Sequence, residues 1–279
     1  MDPLHAIIIA LVQGATELFP VSSLGHAVVL PALLGWHLDL QSSGFLPFLV
    51  MLHVGTAVAL LVFFWRDWLA IIRALLGMSD AHANKEGRRV FALIIISMIP
   101  VVVIGLVLEH PLRRVFATPL IAAVFLVVNG LILLVGERMK GSGSRALSTL
   151  TAKDALIIGL WQCLALVPGI SRSGVTILGG VLRGVDHEGS AHFSFLIATP
   201  VIGAAAVLEI PKLLHDPALH GSGVFQLSLI CAVVAGLTAL ASTAFLMRYF
   251  RGHDRSALDP YAWYCVAAGL GSAAFLLFR

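Results

Sequence analysis

Few residues in this chain carry charge: Asp, Glu, Lys and Arg make up 12% of its 279 residues, about half the share of a soluble domain. That scarcity excludes a soluble globular enzyme and a disordered chain. The net charge of +3 is too small to imply a polyanion, so no nucleic-acid partner is expected. Cysteine is sparse and scattered. Cys163, Cys231 and Cys265 all lie in apolar stretches, which argues against a disulfide framework or a zinc site. The opening Met1-Asp2-Pro3 lacks a basic n-region, so no cleavable secretory signal is expected. What is abundant is apolar: 59% of residues are hydrophobic and the mean hydropathy is +0.97. Charge-free runs recur along the chain, predicting an all-α polytopic membrane protein with one membrane domain over 1–279.

Six runs are long enough to cross about 30 Å of hydrocarbon. They fall near Pro47–Trp65, Val90–Leu108, Pro119–Gly136, Phe193–Ile210, Leu227–Met247 and Tyr261–Phe278. Four are too short: Leu4–Phe19, Leu24–Leu34, Ala155–Val167 and Val175–Leu182. The short runs come in pairs, broken by FPVSSLGH and by VPGISRSG. A short helix, a polar break and a second short helix predict a re-entrant hairpin. Irregular backbone at membrane depth needs protein or a water-filled cavity around it, so both breaks should face one polar interior.

Loops 66–89, 137–153, 183–192 and 248–260 together hold thirteen Lys/Arg, against four on the other side (Arg113, Arg114, Lys212 and Arg279). The positive-inside rule makes the first set cytoplasmic and puts both termini outside. The first hairpin then enters from outside and the second from the cytoplasm. Pro20 and Pro168 are 148 residues apart, and Phe45–Gly55 recurs as Phe193–Gly203 at the same offset. Each half holds one hairpin and three spans, which predicts an inverted-topology repeat of 1–136 and 154–279 with a site near the midplane. The clusters Trp65/Trp68 and Tyr261/Trp263/Tyr264 sit at span ends, as interface belts do.

Gln13 and Glu17 are four apart and share a helix face. A carboxylate inside an apolar run is costly and points to function. Glu17 is read as a cation ligand or acid/base group, with Gln13 a neutral oxygen ligand beside it; the structural alternative is a carboxylate that only bonds hairpin backbone. Pro20 ends the first half-helix, and Ser22 or Ser23 can cap the second, whose amides suit an anion. His26 follows within one turn. A serine beside an imidazole can be an activated nucleophile, and the His itself can attack or act as acid. The plainer reading is that the serines cap and His26 packs.

In the second break, Arg172 is a cation in an apolar stretch, flanked by Ser171, Ser173 and Thr176. Gly169 and Gly174 permit close backbone approach. Guanidinium, hydroxyls and helix amides make a phosphate receptor. The alternative is an Arg172–Glu17 salt bridge that merely staples the hairpins. Elsewhere, His53 and His192 flank the apolar spans and could line the cavity, with packing the favoured reading; Gln162 is read as a hairpin hydrogen-bonder and Glu209 as interfacial. If the hairpins meet, these parts compose a phosphoryl-transfer site for a lipid phosphate entering from the bilayer.

QGATELFPVSSLGH and PGISRSGVT resemble the two signature motifs of the undecaprenyl-diphosphate phosphatase family, linked to bacitracin resistance. Gln13 and Glu17 match its (Glu/Gln)-x-x-x-Glu pattern, and Pro168–Thr176 its Pro-Gly-x-Ser-Arg-Ser-x-x-Thr. Length and segment order agree; Leu24 stands where many members carry a small residue. The resemblance implies hydrolysis of undecaprenyl diphosphate to the monophosphate, recycling the carrier for cell-wall synthesis. It also implies a divalent cation (Mg2+ or Ca2+), a homodimer, and a bacterial inner-membrane site opening outward. Carried over, Gln13 and Glu17 would bind metal, with Glu17 also assisting catalysis. Ser22, Ser171, Arg172, Ser173, Gly174 and Thr176 would hold the diphosphate, with Arg172 also catalytic. Ser23 and His26 would be the catalytic pair, the nucleophile between them open.

Two other readings compete. The acid-phosphatase-like lipid phosphatases share a Ser-Gly-His element that SSLGH resembles, but their Lys-x6-Arg-Pro element is not found. A transporter or flippase could use the same inverted-repeat site without hydrolysis. The Ser/His pair beside an acid favours chemistry, since anion binding needs only arginine and amides.

Overall fold

The computed structural model describes residues 2–36, 44–116, 118–141, 144–215, 223–253 and 255–278, with side chains of 46, 109–116, 209–215 (Pro211 apart) and 224 left undescribed. The interface placement of Glu209 and the charges of Arg113, Arg114, Lys212 and Arg279 therefore lie outside the described residues. Eleven α-helices follow in order: α1 (Pro3–Thr16), α2 (Ser23–Leu33), α3 (Phe45–Phe63), α4 (Trp65–Leu75), α5 (Ala81–Phe116), α6 (Pro119–Arg138), α7 (Ala152–Cys163), α8 (Arg172–Leu182), α9 (His187–His215), α10 (Val224–Gly252) and α11 (Asp259–Phe278). Outside helices, the described residues pair as strand only at an isolated bridge between Arg145 and Val185. The all-α polytopic membrane class holds.

Among the described residues five helices are long and apolar enough to span, and α3 with α4 makes a sixth, bent by 77° at Phe64. The span expected to end at Trp65 ends two residues earlier, at Phe63. The chain then turns into an amphipathic helix whose Ile71 and Ala74 are buried. At fourteen residues, α1 reaches roughly 21 Å, too short to cross. The other three short helices are shorter still.

Local sequence explains the ends. Asp2 caps α1, its carboxylate accepting from Leu4 and His5 N–H, with Pro3 opening the helix. Thr151 and Asp154 form a reciprocal capping box at α7. Asp154, at this loop-side end, also takes hydrogen bonds from Arg183 at 2.7 Å and Arg145 at 3.0 Å. Burial alone would raise its carboxyl; these donors and Thr151 hold it well below the usual carboxylate range.

Small residues set the closest crossings. α6 packs along α11 and α3 along α10, where a Cβ on Gly130 would lie 2.5 Å from Ala262 O and one on Gly55 1.9 Å from Ala232 O. α1 packs on α10 while α7 packs on α5, and α3 packs on α9. Exchanging α1, α2, α3, α5 and α6 for α7, α8, α9, α10 and α11 turns α1–α10 into α7–α5 and leaves α6–α11 and α3–α9 as they are, whereas the close α3–α10 packing answers to a much slighter α5–α9 contact. The two breaks thereby meet in the interior.

Candidate active site

The breaks lie face to face. Gly25 of the first approaches Gly169 of the second, and Gly174 of the second approaches Pro20 of the first. Gly169 has φ +101°, and a Cβ there would lie 2.4 Å from Ala122 O, so only glycine fits. Each break ends in the same cap: Ser22 Oγ accepts from Gly25 N–H at 3.2 Å and Ser171 Oγ from Gly174 N–H at 3.1 Å. The caps thus register at an offset of 149 residues, one more than the prolines suggest. Ser22 reaches its cap at φ +66°, a strained backbone for a serine.

Asn129 of α6 joins the two breaks. Its Nδ2 donates to Pro20 O at 3.1 Å and its Oδ1 accepts from Ser171 N–H at 2.9 Å. Sequence reasoning passed over it. An asparagine inside an otherwise apolar span was the available signal.

Glu17 is the centre. Arg172 Nη2 donates to its Oε1 at 3.1 Å across 155 residues of sequence. Ser23 Oγ donates to Oε2 at 2.5 Å and Gln13 Nε2 to the same oxygen at 2.9 Å. His53 Nε2 stands 3.2 Å from Oε2, with its Nδ1 on Leu49 O at 2.7 Å. The expectation of a packing role for His53 is corrected: α3 turns it into the cavity. His192 instead pairs with Asp67 at 3.1 Å, outside the lining. Arg172 Nη1 reaches Ser194 O at 3.1 Å.

A cavity of about 210 Å³ opens on this constellation. Its polar end carries Glu17, Ser22, Ser23, His53, Ser171 and Arg172; its other walls include Val101, Leu166, Val201 and Ile202. The starts of α2 and α8 both line it, so two positive helix ends and a guanidinium face the same space. The shape suits a charged head on an apolar tail.

Not every expected residue lines the cavity. Ser173 Oγ lies 3.0 Å from Phe19 O and 3.0 Å from Ser171 Oγ. Thr176 Oγ1 bonds Arg172 O at 2.8 Å and Ser194 Oγ at 2.6 Å. Both hold the breaks together, and Gly174 serves their close approach. His26 is turned away from Ser23: its Nδ1 meets Ser22 O at 2.7 Å and its Nε2 meets Tyr264 Oη at 2.8 Å. Gln13 lies behind Glu17, its buried Oε1 without a hydrogen-bond partner.

That free amide oxygen beside a carboxylate is what a hard cation accepts. Among the described residues no group of three His, Cys, Asp or Glu could hold a metal. Gln13 and Glu17 would give a cation two protein oxygens at most, with the rest of its ligands coming from a bound phosphate and water.

The model of the family described as "Bacitracin resistance protein BacA" matches residues 6–271. The undecaprenyl-diphosphatase of Granulibacter bethesdensis is 59% identical over all of this chain and 98% of its own. That of Gluconacetobacter diazotrophicus is 56% identical over 96% of this chain and 95% of its own, and that of Gluconobacter oxydans 52% over 99% and 100%.

Proposed function

Since the chain belongs to the bacitracin resistance protein BacA family, we propose a reading of its site as that of a membrane lipid diphosphatase. The protein is a phosphatase that hydrolyses undecaprenyl diphosphate to undecaprenyl phosphate and phosphate, recycling the carrier for cell-wall synthesis and conferring bacitracin resistance. It is a multi-pass protein of the bacterial membrane. The observation that carries the reading of the site is Ser23 Oγ at 2.5 Å from Glu17, whose other oxygen meets Arg172. Anion transport would need the arginine but not the serine–carboxylate pair.

The geometry supports the following sequence. The diphosphate enters with its tail along the apolar wall. Arg172 exchanges Glu17 for phosphate oxygens, aided by the α2 and α8 amides. The freed carboxylate, oriented by His53 and Gln13, takes the proton of Ser23. Ser23 Oγ bonds the terminal phosphorus, the bridging P–O bond breaks, and its electron pair leaves on undecaprenyl phosphate. A bound Mg2+ or Ca2+ beside Glu17 and Gln13 would neutralise charge on the phosphate oxygens. His26 lies off the cavity, which favours Ser23 as the attacking group and His26 as a residue that positions α2.

The helix pairings that match support an inverted repeat of 1–136 and 154–279, in which α4 of the first half has no counterpart in the second. The loop charges support an orientation with both termini outside, and the inner membrane and the site's opening to the outer face rest on the family resemblance. A homodimer rests on the family resemblance. The test is phosphate release from undecaprenyl diphosphate by purified protein in detergent, with and without EDTA, and with Arg172→Ala as contamination control. Release that EDTA stops and the variant lacks is expected. A folded, cation-loaded sample that releases none overturns the reading.

A further inference from the structure

Gln162 occupies in the second break the place of Gln13 in the first. Each lies nine residues before its capping serine, Ser171 or Ser22. Both are buried, and both have an Oε1 without a hydrogen-bond partner. A buried acceptor left without a partner is costly, so two at matching positions call for a ligand. Their surroundings differ. Gln13 sits behind Glu17 and donates its Nε2 to the carboxylate, whereas Gln162 lines the cavity itself. At the same register, Leu166 stands where Glu17 stands in the first break, and it too lines the cavity. An amide oxygen beside a carboxylate suits a cation. One beside leucine suits a neutral donor, and a diphosphate head offers oxygens rather than donors. The Nε2 of Gln162 faces Ser97 O at 3.5 Å, which turns the oxygen away from α5.

We propose that Gln162 is a positioning residue for the hydrolytic water, its amide oxygen accepting a hydrogen bond from the water while the water oxygen faces phosphorus. The inference rests on the serine-nucleophile reading above. In this step the water oxygen bonds phosphorus and the P–Oγ bond to Ser23 breaks. Glu17 returns the serine's proton to Oγ and takes one from the water, later releasing it. The second water proton stays on the departing phosphate.

The test is steady-state kinetics of Gln162→Met in detergent with undecaprenyl diphosphate, with mass spectrometry of the acid-quenched protein. A water-positioning role slows only the second step. The expected result is kcat and KM lowered together, by about tenfold, kcat/KM unchanged, and phosphoserine accumulating at Ser23. Gln162→Glu keeps the acceptor and should not accumulate phosphoserine. If the methionine variant does not fold, Gln162→Asn, which retracts the amide by one carbon, should give the same signature. A fall in kcat/KM without phosphoenzyme overturns the proposal and leaves Gln162 to binding or packing. Wild-type protein that releases no phosphate would instead overturn the phosphatase reading itself.

Discussion

The carboxylate of Glu17 and the guanidinium of Arg172 stand 3.1 Å apart across 155 residues of sequence, the first buried and the second partly open to the cavity. Removing one partner leaves a buried charge unpaired, which typically costs about 3–5 kcal/mol. Arg172→Ala and Glu17→Ala should each lose activity and lower the thermal midpoint in detergent. The double variant Glu17→Gln/Arg172→Gln should regain most of the stability and none of the activity. A double variant as unstable as either single would show that the pair does not act as a unit.

Ser23 and His26 should separate by chemistry. Ser23→Ala removes the hydroxyl that bonds Glu17 and should lower kcat by about 100-fold or more. His26→Ala should also be crippled, because its ring holds Ser22 O at the strained start of α2. Added imidazole should not restore it, and Tyr264→Phe, which removes the other ring contact, should show a milder loss. Rescue by imidazole would make His26 the reacting group.

Asn129→Leu should strike both breaks at once. It strands Pro20 O and the Ser171 N–H in the interior, at about 1–3 kcal/mol for each group. A lower thermal midpoint and reduced phosphate release are expected together. Wild-type values for both would mean the breaks hold their positions without it.

Acid stability should depend on Asp154. Its carboxyl is held below the usual range by Arg183, Thr151 and Arg145. A depressed folded value contributes stability above the unfolded value of about 3.9. That contribution is lost as pH falls toward the folded value. Asp154→Asn should therefore be less stable than wild type at neutral pH, and the gap should narrow below about pH 4. Equal midpoints at neutral pH would assign the clamp no net stability.

The elements and the chemistry they carry are legible along the chain. Run lengths, Pro20, Pro168 and the capping serines are local signals, because hydrocarbon thickness and the missing proline N–H act on a few consecutive residues. The carboxylate and arginine stood out because charge inside an apolar run is costly wherever it ends up. Tertiary structure decided which way each helix faces. Nothing local tells that α3 turns His53 onto Glu17, that α6 places Asn129 between the breaks, or that His26 looks toward α11. Ser173, Gly174 and Thr176 were read as ligand groups from their types, yet packing spends them on neighbouring backbone and hydroxyls. Length and breaks follow from the chain's own covalent geometry. The rotation of each helix about its axis follows from close-packed partners more than a hundred residues away.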